Sequence, residues 1–181
     1  MDSRVRLDPV SLPHDREAIV DFLSSQHFPF HGQPRPTRAQ AERRIADGIF
    51  DPPEHQAFWV IAHGERSGLA VLDDLRDDTV LFDLRLAETA RGQGLGAPVL
   101  RVLADVLFAQ YPHVRRFEGR TRADNIAMRR TFRRAGWVQE AHYREGWSVA
   151  GDEPVDSVGY AILRRDWRDG TTTPVRWDDD A

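Results

Sequence analysis

The chain has 181 residues, 25 cationic and 29 anionic side chains, a formal net charge of −4 and no cysteine; every cation is arginine, and lysine does not occur. Without lysine there is no Schiff-base or pyridoxal-phosphate chemistry, no nucleoside-triphosphate loop and no kinase strand lysine; without cysteine there is no thiol nucleophile, thiolate zinc site, iron–sulfur cluster or disulfide. With 40% hydrophobic and 30% charged residues, the expectation is one soluble cytoplasmic domain with no secretion signal or membrane span, and the slight negative charge gives no support to nucleic-acid binding.

Residues 4–7 read as a short first strand. Residues 15–25 read as a helix, because Ile19, Val20, Phe22 and Leu23 recur at helical spacing. Residues 26–36 carry Pro29, Pro34 and Pro36 among His27, Phe28, Phe30 and His31 and must be irregular. Thr37 suits the cap of a second helix that ends near Gly48. Three extended runs rich in β-branched and aromatic residues follow at 57–62, 69–72 and 79–86, joined by polar turns, which predicts a meander. A glycine-rich loop at 91–96 leads into an amphipathic helix over 97–110, with Pro98 in the first turn, where a missing amide costs nothing. A strand at 116–121, a helix at 125–135 stopped by Gly136, and strands at 137–143 and 156–163 complete the order. The polar tail after Trp167, ending in Asp178, Asp179 and Asp180, is expected to fray. The pattern is α/β (α+β), a mixed sheet of about seven strands with about four helices. It predicts a single domain over 1–168 and a flexible tail over 169–181.

The stretch Arg91-Gly92-Gln93-Gly94-Leu95-Gly96-Ala97 lies between a strand and a helix. Glycine lets the backbone pass close to a ligand, and the free amides and dipole of a helix start favour anionic oxygen. A pyrophosphate is the natural guest; a tight turn without a ligand is the plain alternative. Gly92-x-Gly94-x-x-Ala97 formally satisfies the dinucleotide fingerprint, but that motif follows the first strand of a parallel βαβ unit, whereas here a meander precedes the loop. No Gly-x-Ser-x-Gly elbow supports serine-hydrolase chemistry. His27 and His31 have the spacing of a helical metal pair, yet Pro29 lies between them and no third ligand is evident, so no metal is expected.

Arg91-x-x-Gly94-x-Gly96 resembles the acetyl-coenzyme A pyrophosphate loop of the GNAT N-acetyltransferase superfamily. The stretch from Asn125 to Trp137, with Ala127, Phe132 and Gly136, is similar to that family's asparagine-led helix ending in glycine and an aromatic residue. The element order and the closing Asp156, Tyr160, Leu163 and Trp167 pattern most resemble the RimJ/RimL-like branch, which acts on ribosomal-protein amino termini. The resemblance spans almost the whole chain. It implies the acyl-coenzyme A N-acyltransferase fold, acetyl-coenzyme A as co-substrate, and direct transfer to a primary amine of a small molecule or protein amino terminus, by a monomer or homodimer. It also implies that Arg91, Gly92, Gln93, Gly94, Leu95, Gly96 and Ala97 bind the pyrophosphate, and that main-chain groups of Leu84 and Leu86 meet the pantetheine and thioester. Asn125 either holds that arm or only caps its helix, and Arg130 is the expected side-chain contact to phosphate.

An ammonium has no lone pair, so a base must take its proton before it attacks. Glu118 matches by position a carboxylate that relatives place at the acceptor and is the first candidate; Asp83, between Phe82 and Leu84, is the second. For each, an ion pair with one of the arginines is the alternative. Many relatives have tyrosine four residues before the helix-ending glycine, as an acid for the thiolate; here Phe132 stands there and is expected in the core, so either the thiolate leaves unprotonated or another group, Tyr143 or Tyr160, serves. The departure also keeps open a non-catalytic acyl-coenzyme A sensor on the same fold. His27, Phe30, His31 and Trp147 are expected at the acceptor pocket, with Trp59 and His142 either there or in packing. Between Arg115 and Arg134 lie eight arginines. They read as a solvated face with one or two phosphate contacts, since an RNA-binding stripe would interleave stacking aromatics.

Overall fold

The computed structural model describes residues 5–149 and 151–177; Arg4 and the Asp178 to Asp180 run, both part of the sequence expectations, lie outside them. In chain order the elements are β1 (Val5–Pro9), α1 (Arg16–Ser25), α2 (Arg38–Ala46), β2 (Gln56–Ala62), β3 (Glu65–Asp73), β4 (Thr79–Leu86), a 3-10 turn (Glu88–Ala90), α3 (Gly96–Gln110), β5 (Arg116–Arg122), α4 (Ile126–Arg134), β6 (Val138–Trp147), β7 (Val155–Leu163) and α5 (Arg164–Asp169). The second helix begins as its sequence suggests: Thr37 accepts from the Gln40 amide while the Gln40 side chain returns to the Thr37 amide, a complete capping box. Helix α5 was not expected. It is a six-residue element closed by Gly170 at φ 64°, too short to show a hydrophobic period.

The strands form one sheet in the order β1-β2-β3-β4-β5-β7-β6. Every neighbouring pair is antiparallel except β4 and β5, which run parallel. That parallel pairing covers only Thr79 to Leu81 against Arg116 to Glu118. Beyond it β4 continues beside β3 as far as Leu86, and β5 continues beside β7 as far as Arg122, so the sheet splits down its middle. Aromatic rings crowd the split: Phe82 lies 5.3 Å from Phe117, 6.1 Å from Phe132 and 5.6 Å from Trp137, centroid to centroid. Gly119 makes room for them, since a Cβ there would sit 2.5 Å from Phe82 and 2.7 Å from Phe132.

Each face of the sheet buries its own core. Helices α3 and α4 cover Val80, Phe117, Val158 and Tyr160 with Leu100, Leu103, Leu107 and Phe132. The α1/α2 face packs Ile19, Val20, Leu23 and Ile45 on Trp59, Leu69 and Val71. The period-2 alternation of strands therefore sends Phe82 and Leu84 of β4 to the first face and Asp83 and Arg85 to the second, where they pair in register with Val71 and Leu69. At the carboxyl end the chain does not leave the body after Trp167. Buried Asp166 accepts hydrogen bonds from Thr171 and Thr173, so the polar tail is tied down as far as Thr173.

Candidate active site

A cleft of about 440 Å³ opens where β4 parts from β5. Its floor and one wall are Leu84 and Leu86 of β4, the loop before α3, and the near side of α4. Gly92 and Gly94 turn this loop with φ of 73° and 77°, values that bulkier residues adopt only with strain. Gly96 serves a different need: a Cβ there would come within 2.8 Å of Thr131 on α4, so glycine lets the start of α3 lie against its neighbour. No side chain caps α3. The first amides of that helix are therefore left for a guest, and the helix dipole makes an anion the favoured one.

Of the residues expected at this loop, Arg91, Gly92, Gly94, Leu95, Gly96 and Ala97 line the cleft, as do Leu84, Leu86, Asn125 and Arg130. Gln93 does not: its amide donates back to the Thr89 carbonyl. The Arg91 guanidinium is partly consumed in holding structure, since Nε donates to the Leu86 carbonyl at 3.0 Å and Nη2 to the His27 carbonyl at 2.5 Å. Burial lowers its proton affinity below the ordinary arginine value. Both polar atoms of Asn125 are engaged as well. Its Oδ1 accepts from the Met128 amide, capping α4, and its Nδ2 donates to Thr121. Of the two roles left open for Asn125, the cap is therefore in place. Arg134 joins Arg130 on the cleft, whereas Arg129 is turned to the Ala123 carbonyl.

The connection between α1 and α2 reaches the same cleft from the other face, through Phe28, Pro29, Phe30 and His31. His27 is held aside by its backbone, its amide donating to Glu88 at 2.7 Å. The His31 Nε2 lies 3.1 Å from an Asp83 oxygen. Asp83 also takes Arg85 Nε at 2.9 Å and Arg44 Nη2 at 3.2 Å. Burial alone would raise its pKa, but Arg85, His31 and Arg44 outweigh burial and hold it far below the ordinary carboxylate range. It is an ionised acceptor, so it takes a hydrogen bond donated by His31 Nε2. The His31 Nδ1 is buried and has no partner.

Glu118 shares this face, because Leu81 and Glu118 are register partners and Asp83 lies two residues beyond Leu81. It accepts from Arg120 Nε at 2.7 Å and from Arg116 Nη2 at 3.0 Å, and Arg116 binds Glu140 too. Here again burial would raise the pKa, and the two arginines bring it below the usual value. The two carboxylates thus flank the split, each in an arginine clamp, but neither lines the cleft itself.

Other expected site residues fall elsewhere. Tyr160 is fully buried on the α3/α4 face, stacked 4.7 Å from Phe132 with its hydroxyl donated to Gln139; strand parity, not chain position, sends it there. Trp147 closes β6 opposite Val155, away from the cleft. Tyr143 is half-exposed beneath Arg120, His142 binds Asp156, and Trp59 is core. Arg44 and Arg85 were missed. The alternation Asp83-x-Arg85 and Arg116-x-Glu118-x-Arg120-x-Arg122 was the available signal, because residues two apart on a strand share a face. Among the described residues no cluster of three His, Cys, Asp or Glu side chains could hold a metal ion.

Comparison with known proteins adds the family. The model of the acetyltransferase (GNAT) domain matches residues 4–138. Solved structures similar to this one include a chimera of spermidine N-acetyltransferase SpeG from Vibrio cholerae and hSSAT, at 18% identity and TM-score 0.77 over 92% of this chain and 99% of that one. Aminoglycoside acetyltransferase AAC(6')-Ib with ribostamycin and coenzyme A matches at 20% identity and TM-score 0.74, over 99% and 100% of the two chains. RimL, the ribosomal L7/L12 alpha-N-protein acetyltransferase, bound to coenzyme A, matches at 17% identity and TM-score 0.73 over 90% and 95%. At these identities the likeness is one of fold.

Proposed function

Because the chain belongs to the GNAT acetyltransferase family, we propose that it transfers the acetyl group of acetyl-coenzyme A to a primary amine of a small molecule or a protein amino terminus. The observation that carries this reading is the sheet split beyond Leu81 and Glu118 with uncapped α3 amides at its mouth. The loop from Gly92 to Ala97 would hold the pyrophosphate through its amides, with Arg130 beside it. Leu84, Leu86 and Met128 offer an apolar bed for the pantetheine arm. Structures of this fold were solved with coenzyme A and ribostamycin or spermine, and with acetyl-coenzyme A and an aminoglycoside, which fits a two-substrate cleft.

Transfer needs the amine as a free base. Its nitrogen attacks the thioester carbonyl carbon, the carbon–sulfur bond breaks, and the departing thiolate takes the second proton of that nitrogen, so no separate acid is required. That matters because Phe132 and Tyr160 are both core. Glu118 is the better of the two carboxylates for the first proton: its partner Arg120 has a half-exposed side chain and can swing away, whereas Asp83 is fixed in part by Arg85, only 7% exposed. A second acceptor is favoured by a specific observation, the unpartnered Nδ1 of His31 with its Nε2 held by Asp83, an arrangement that orients a histidine base.

Titration calorimetry with coenzyme A tests the reading first, and absence of binding at millimolar concentration would sink it. Thiol release with a panel of amines comes next; binding without release from any of them would make the protein a sensor. Glu118→Gln should cut turnover roughly 10²–10⁴-fold, the usual scale of general-base catalysis, and alter the pH–rate profile. If His31→Gln produces that loss and Glu118→Gln does not, the histidine is the base.

A further inference from the structure

We propose that the acceptor amine also carries a carboxylate, as an amino acid or an acidic peptide amino terminus does, so that polyamines and aminoglycosides are poor substrates. The inference rests on the transferase reading above and concerns only what enters the cleft from the α1/α2 face.

Polycationic acceptors are recognised by carboxylates that are free to bind ammonium groups. On this face the carboxylates of the sheet are taken by arginines, and Glu88 beside the cleft accepts the His27 amide. Asp83 holds Arg44 and Arg85, Glu118 holds Arg116 and Arg120, Glu140 shares Arg116, and Asp124 holds Arg122. A polycation would have to displace guanidiniums from short, charge-assisted bonds, one of them a side chain only 7% exposed.

The spare capacity is of the opposite sign. Arg85 Nη1 and Arg44 Nε are buried N–H groups with no partner, and Arg44 has its proton affinity lowered by burial and by the charge of Arg85, against the pull of Asp83. Asp83 stands between buried Arg85 and partly buried Arg44, with Asp73 adding only a more distant pull on Arg44; one directly paired carboxylate leaves positive charge undercompensated, and a second carboxylate is its natural complement. The cluster stands directly behind the cleft. The Arg85 guanidinium lies 4.9 Å from the centre of the Phe28 ring, Asp83 touches His31, and Phe28 and His31 both line the cleft. Arg91 lies 5.5 Å from the same Phe28 ring, and Arg122 lies 5.4 Å from that of Phe30. Across a single layer of apolar side chains their field is weakly screened, so an acceptor's carboxylate is drawn in and its extra ammonium groups are repelled.

The test measures kcat/KM by thiol release for matched pairs of primary amines, each as free carboxylate and as carboxamide. The panel includes amino acids, short peptides with and without an acidic second residue, spermidine and an aminoglycoside. The carboxylate member should exceed its carboxamide by about tenfold, the scale of a hydrogen bond to a charged group, with the polycations below both. Arg44→Gln, checked by thermal melting, should bring that ratio toward one, and raising the salt should shrink it in the unaltered protein, with no variant needed. Amino acids and peptides as separate arms show which source is used. Equal rates for carboxylate and carboxamide, or preference for spermidine or the aminoglycoside, would overturn the inference while leaving the transferase reading intact. No thiol release from any amine would overturn both.

Discussion

On the α3/α4 face of the split sheet, the cleft is met by main-chain amides, glycines and apolar side chains, with Arg130 and Arg134 of α4 at its edge; on the α1/α2 face, arginines and carboxylates stand in pairs behind a thin aromatic wall. The first side works through backbone shape, which depends on a few consecutive residues. The second works through charge balance among side chains from four separate elements. A recognition surface of the first kind suits a fixed co-substrate, because amides at a helix start cannot be retuned by one substitution. The second kind can be retuned by any arginine or carboxylate in it.

The largest effect should come from the aromatic packing on the α3/α4 side of the split. Phe132→Ala removes a ring packed on Tyr160, Trp137 and Phe82, and should cost about 3–5 kcal/mol in denaturant unfolding; a loss under about 1 kcal/mol would mean that the rings do not wedge the split. Next, Gly92→Val with Gly94→Val forces two branched residues to positive φ at about 1–2 kcal/mol each. Coenzyme A affinity should fall about a hundredfold in calorimetry. Arg44→Gln should move that affinity less than about twofold, and a larger change would break the separation of the two sides.

Acid sharpens the contrast. The folded protein binds a proton at Asp83 less tightly than the unfolded chain does, so the stability contributed is complete above the unfolded value of about 4 and is lost as pH falls below it. Unfolding free energy should therefore decline steeply below about pH 4, and Asp83→Asn should flatten that decline. An equal slope in the variant would remove Asp83 from the acid response. The smallest effect is local: Thr37→Ala breaks the capping box of α2 and should cost about 1 kcal/mol without altering coenzyme A binding.

Much of the α3/α4 side was legible beforehand. Gly92, Gly94 and Gly96 announce a sharp turn into a helix, and Leu84 and Leu86 fall on the cleft because strand parity is fixed by β4 itself. Gln93 belonged to the same motif, yet its side chain folds back on Thr89, since a loop motif specifies the backbone path and not every side chain along it. Tyr160 went astray for a related reason: it was weighed as an acid because Phe132 stands where relatives have tyrosine, but its parity on β7 faces the core. On the other side, Asp83 and Glu118 stood out as carboxylates, while their clamps did not. Arg44 lies 39 residues from Asp83 and His31 lies 52 residues from it, and no local pattern links such distances.

By itself the sequence determined the elements that depend on neighbours a few residues away: the amphipathic helices, the meander, the turn into α3 and the chemistry ruled out by absent lysine and cysteine. Tertiary structure alone decided where β4 leaves β5, which ring fills the gap, and that Arg44 and His31 meet Asp83. The reason is the range of the forces involved. Backbone preference and hydrophobic period act within one element, whereas the meeting of Asp83 with Arg44 and His31 exists only once a helix, a loop and a strand have been packed on one face of the sheet.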